Sequence, residues 1–97
     1  MNFVDRQGRP LTLMQWAHLL DDDAYRQVRY SEIGDTSVST AWLGIDEPLA
    51  RQIFETMVRW PDGTTHRRHV TEEEAIAHHE SVVSELTKTA GKPEGEL

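Results

Sequence analysis

The stretch SVSTAWLGI, residues 37–45, decides the fold. It is rich in β-branched and aromatic side chains and reads with a period of two. Val38, Thr40 and Trp42 therefore share one face of a strand, and Ser39, Ala41, Leu43 and Ile45 share the other. Downstream, Asp46, Glu47 and Pro48 open a loop through Arg51, because Pro48 has no N–H to give to a sheet ladder. The next run, IFETMVRW (53–60), alternates again, with Phe54, Thr56, Val58 and Trp60 against Ile53, Glu55, Met57 and Arg59. PDGT (61–64) then predicts a tight hairpin with Gly63 at positive φ and a return strand over about Thr65–Val70. Upstream, Val28 and Tyr30 fall on one face of a further strand that ends at the turn-forming pair Gly34–Asp35.

Helical signals flank these strands. Thr12 with Gln15 forms a capping box, with Leu11 and Trp16 as its hydrophobic staple, and Leu13, Trp16, Ala17 and Leu20 follow as one apolar stripe. The run Asp21, Asp22 and Asp23 interrupts the stripe, and an aspartate there caps a short turn carrying Ala24 and Tyr25. A second box, Thr71 with Glu74, starts a last helix that runs to about Thr89 and places Ala75, Ile76, His79, Val82, Val83 and Leu86 on one side. Helix, consecutive strands, then helix reads as an α+β domain: an antiparallel meander of about three to four strands, with an N-terminal and a C-terminal helix packed on one face. No segment between strands is long enough for a parallel crossover. One domain is expected over residues 1–90, with 91–97 as a flexible tail.

Composition narrows the function. The 97 residues hold no cysteine, which excludes disulfides, thiolate metal sites and cysteine nucleophiles. No apolar run approaches the roughly 20 residues of a membrane span, and the N-terminus lacks a signal-peptide layout, so a cytoplasmic setting without membrane contact is expected. A net charge of −7 repels nucleic acid and favours encounter with a basic protein partner.

The combination of Ser39, Thr40, Trp42, Leu43, Gly44 and Asp46 with Phe54, Glu55, Thr56 and Met57, between the NFVDRQGRPLTLMQWAHLL opening and the TEEEA helix start, resembles small uncharacterised proteins of actinobacterial phages and prophages. Proteins of that type carry a longer glycine- and proline-rich loop between the two motifs, where this chain has EPLARQ. The resemblance implies a genomic setting and brings no activity with it.

Candidate chemistry is sparse. His78 and His79 are adjacent and point about 100° apart on a helix, so the pair cannot close on one ion, and His79 falls in the apolar stripe. An alternative reading joins Glu74 and His78, at i and i+4, to His66 or His69 from the preceding strand as a mixed nitrogen and oxygen set for a divalent metal or a small enzyme site. Asp46 and Glu55 make a carboxylate pair only if the sheet brings them together. Ser37 and Ser39 lack a nucleophile-elbow pattern, and no glycine-rich phosphate loop is present. The hairpin 59–69, with Arg59, Arg67, Arg68, His66, His69 and Trp60, is the one basic, aromatic-bearing region. It offers weak nucleic-acid contact at most; otherwise its arginines pair with neighbouring glutamates and Trp60 belongs to the core. The expectation is therefore a small non-enzymatic protein-binding module without a cofactor, acting as a stoichiometric modulator of a basic host protein. Asp21, Asp22, Asp23, Asp46, Glu47, Arg59, Arg67 and Arg68 are its candidate contact residues, and an open sheet edge offers a route to a homodimer.

Overall fold

A computed structural model describes residues 1–90. The expected flexible tail, 91–97, lies outside them. The meander is present as four antiparallel strands, β3 (Gln27–Ile33), β4 (Thr36–Asp46), β5 (Gln52–Trp60) and β6 (Gly63–His69). Two short strands extend the sheet to six, β1 (Asn2–Val4) and β2 (Pro10–Leu11). Strand β4 is the spine. One edge pairs with β5 throughout, and the other is shared, with β3 along Thr36–Ala41 and β1 at Ile45–Asp46. Neither β1 nor β2 is long enough to show an alternation, which is why the pattern of the sequence reads only as far as the meander.

The spine alternates as expected: Val38, Thr40 and Trp42 are fully buried, and Ser39, Ala41 and Leu43 are half-buried. The buried face carries helix α3 (Glu72–Ala90), whose Ala75 and His79 are buried against it. Glu74 N–H donates to Thr71 Oγ1 at 3.1 Å, so the cap forms. The second half of that box does not, because the Glu74 carboxylate accepts from the Thr71 hydroxyl at 3.0 Å. Thr71→Ala is expected to cost about 1 kcal/mol, measured as a shift of the urea midpoint.

Helix α1 (Leu13–Leu20) carries the full capping box, and helix α2 (Asp23–Arg26) is capped by Asp22, whose side chain accepts from Tyr25 N–H. Two expectations change here. Helix α1 sits beside β1 and β2, not over the meander. Its inward stripe is Trp16, Leu19 and Leu20, while Leu13 and Ala17 face solvent.

The strand readings are corrected at β3, at Gly63 and at Trp60, while the Gly34–Asp35 turn is as expected. A bulge between Gln27 and Arg29 inserts one residue into β3, so Val28 packs on the core while Tyr30 turns outward. The Gly34–Asp35 turn has only Gly34 at positive φ, the signature of a II′ hairpin. Gly63 does not take positive φ; Pro61 and Asp62 are the central turn residues, and glycine follows them as in a type I turn. Trp60, expected in the core, is 37% exposed, because its cross-strand partner Gly63 has no side chain to cover it.

A second bulge lies between Trp42 and Ile45, opposite Phe54 and Gln52. There β4 has left β3 and not yet met β1, so its backbone would lack partners. An indole supplies one, since Trp16 Nε1–H donates to the Leu43 carbonyl at 2.8 Å; a second indole, Trp42 of β4 itself, donates from Nε1–H to the Val4 carbonyl of β1 at 3.0 Å. Phe3 stacks on Trp16, and Tyr25 meets Trp42 edge-on. Val4, Trp42, Ile53, Phe54 and Ala75 form the main core, each large member contributing roughly 1.5–3 kcal/mol by burial.

Candidate functional site

Four groups of polar or exposed residues are distinct in this fold. The first is buried. His79 Nε2 lies 3.0 Å from Ser31 Oγ, Nδ1 lies 2.8 Å from Thr40 Oγ1, and Thr40 Oγ1 lies 2.8 Å from Thr56 Oγ1. The histidine thus has a partner on each ring nitrogen, one more than a packed histidine needs. Only one direction of this chain satisfies every polar hydrogen. Thr56 donates to Thr40, Thr40 donates to Nδ1, and Nε2–H donates to the half-exposed Ser31, whose own proton faces solvent. The reverse direction leaves the buried Thr56 proton without an acceptor among the described residues. In this tautomer His79 has no lone pair towards Ser31, so the arrangement is no activated Ser–His nucleophile.

The second group is the pair His69 and His78, whose ring centres are 4.9 Å apart. His69 Nε2 is buried with no hydrogen-bond partner among the described residues. Burial, then the like charge of His78 and of Arg67, holds the His69 pKa down, and burial with Arg67 does the same for His78. Of the residues read as a metal set, the fold brings together only these two. His66 points to the opposite sheet face, where it meets Glu55 at 3.3 Å, and Glu74 is engaged with Thr71. Among the described residues no group of three or more His, Asp or Glu side chains gathers to hold a metal. Nor do Asp46 and Glu55 meet, since Asp46 pairs with Arg51 at 2.7 Å and Glu55 faces His66 and Arg68.

The third group is the outer edge of β6. His66 and Arg68 share the outward face of the sheet with Arg59 and Glu55, while Arg67 emerges on the helix side. Arg68 pairs with Glu55 at 3.3 Å, as cross-strand neighbours should, and Arg67 has no ion pair among the described residues.

The fourth is an acidic end with an apolar centre. Met1, Phe3, Pro10, Leu11 and Leu13 line a shallow depression between β1, β2 and the start of α1, with Asp46 on its rim. Met1 and Leu13 are 78% and 60% exposed. Arg6 ties the neighbouring elements together: its guanidinium meets Glu72 at 2.6 Å and the Tyr25 carbonyl at 3.1 Å. Arg6 thus brings Glu72, at the start of α3, beside α2, while Asp46 at the end of β4 pairs with Asn2 on β1. Part of the acidic charge is internally occupied, since the Asp22 side chain caps α2 and Asp23 pairs with Arg26 at 2.8 Å. Sequence reading named the acids and missed the depression, because β1 and β2, which shape it, carry no periodic signal.

No protein-family model matches the chain, and neither a curated protein nor a solved structure is similar to it. No helix among the described residues is long and apolar enough to cross a membrane.

Proposed function

We propose that the chain is a protein-binding module that takes a basic, partly apolar segment of a partner protein at its β1–β2 end. A phage or prophage setting, with the partner a host protein held stoichiometrically, is the context in which this reading fits best. The observation that carries it is the depression itself. Exposed apolar side chains with the carboxylate of Asp46 at their rim resemble the composition of a protein contact, apolar at the centre and polar at the edge. The net charge of −7 adds long-range attraction for a cationic partner, which raises the rate of encounter more than the affinity.

The test uses an amphipathic, lysine- and arginine-rich peptide titrated by NMR, and the untagged protein as bait in a lysate. Shifts are expected at Phe3, Leu11, Leu13, Asp46 and Glu47, weakening with added salt. Leu13→Lys, at an exposed site outside the core, is expected to lower affinity roughly ten-fold or more and to release the same captured protein. Shifts scattered over the whole surface, or capture indifferent to both salt and Leu13→Lys, would remove the reading.

A further inference from the structure

Strand β6 ends the sheet on the side away from β1 and β2, and it pairs with β5 alone. Its register runs without a bulge from Gly63 to His69, and Gly63–Arg68 are exposed. It holds no proline. Every second residue of such a strand turns its backbone N–H and C=O away from the sheet, so β6 is a template for one more strand.

Side-chain charge decides what that strand is. Arg68 and His66 project on one face and Arg67 on the other, so positive charge flanks the free edge on both sides. A second copy of this chain, pairing edge to edge, would bring two sets of Arg67 and Arg68 to one seam, and like charges across strands oppose pairing. Nucleic acid fits poorly too. Arginines on opposite faces cannot follow one phosphate backbone, and the exposed Trp60 lies opposite Gly63 at the turn, several residues along the strand from Arg67 and Arg68. An extended peptide has the matching geometry, because two consecutive acidic residues in a strand also point to opposite faces.

We propose that the β6 edge docks an extended segment of a partner protein carrying two adjacent acidic residues, by strand addition, with one carboxylate reaching Arg67 and the other Arg68 and His66. Backbone pairing supplies the attachment and the two arginines the preference. Glu55 already neutralises part of the charge on the outer face, whereas Arg67 pairs with no carboxylate among the described residues, so Arg67 carries more of the selectivity. This surface is separate from the acidic end and would stand if that site failed. The overall negative charge does not forbid it, since at physiological salt fields decay over about 8 Å and the edge is governed by its own arginines.

The experiment is amide hydrogen exchange followed by NMR on the full chain, with a capped peptide of valines and threonines around two adjacent glutamates. Its glutamine counterpart and a single-stranded oligonucleotide run in parallel. Amides of β6 that exchange fast in the free protein are expected to slow in alternation, one residue in two. The glutamine peptide is expected to bind roughly ten-fold more weakly, as is the glutamate peptide to Arg67→Gln. Arg67 is exposed, so that variant should keep the circular dichroism spectrum and urea midpoint of the parent. Protection outside β6, equal binding of the two peptides, or an oligonucleotide bound through the same arginines would each overturn the proposal. Protection of β6 that grows with protein concentration alone would overturn it in favour of a second copy.

Discussion

Gly44→Ala is expected to cost roughly 3 kcal/mol or more, a large part of the about 5–15 kcal/mol that holds a domain folded. Gly44 has φ +74°, a conformation that an L-residue adopts at a cost of roughly 1–2 kcal/mol. Space is the larger obstacle. A Cβ at this position would lie 2.4 Å from Trp42 Cζ2 and 2.9 Å from the Val4 carbonyl oxygen. That carbonyl is the one accepting from the Trp42 indole, so the ring cannot retreat without releasing its hydrogen bond. Overpacking of a tight core adds roughly 1–3 kcal/mol. Gly34→Ala is the matched control: φ is +60° there, and nothing lies within 4 Å of the added methyl. It should show the backbone cost alone, about 1 kcal/mol. Urea titration of both variants checks the difference. Equal midpoints would mean that the close approach of Trp42 to Gly44 contributes nothing.

The same bulge marks where the sequence stops being readable. The alternation of 37–45 and 53–60 identified the spine, its partner and the buried faces, because each strand is long and one-sided. Capping residues placed the helix starts for a similar reason: Thr12, Asp22 and Thr71 bond backbone groups within three residues, so their signals are local. Long-range partners were invisible. Nothing near Trp16 in the chain indicates that its indole N–H serves the Leu43 carbonyl, or that His79 links hydroxyls from three different strands. The β3 phase was lost to one inserted residue, Val28. The histidines illustrate the same limit at the level of function. Spacing put His69, Glu74 and His78 within reach of each other, yet the direction of each side chain brought only His69 to His78 and sent His66 to the opposite face.

Those histidines are expected to make the fold lose stability in mild acid, above the range in which carboxylates titrate. The pKa of His79 is held below its ordinary value, first by burial and then by Arg29 and His78, with Glu80 opposing. Burial also leads for His69 and His78; Arg67 on β6 adds to both, His78 adds to His69, and Glu74 opposes at His69. A depressed folded pKa means that the unfolded chain binds protons more readily. Stability from these groups is therefore complete above the unfolded value of about 6.5, and is lost as pH falls below it through the folded values. The chemistry at His79 sharpens the loss. A protonated ring must donate from both nitrogens, but Nδ1 now accepts from Thr40, so that hydroxyl would have to reverse and leave the Thr56 proton without its acceptor. The urea midpoint is expected to drop between pH 7 and pH 5, with α3 the element released from the sheet. His79→Gln, whose amide both donates and accepts without titrating, should flatten that dependence while losing some stability at pH 7. His79→Leu should cost about 1–3 kcal/mol at pH 7, because one buried hydroxyl proton then has no acceptor, and its remaining pH dependence would report on His69 and His78 alone. A pH profile between 5 and 7 that is unchanged in both variants would remove His79 as the acid-sensitive group and place the effect on the His69–His78 pair.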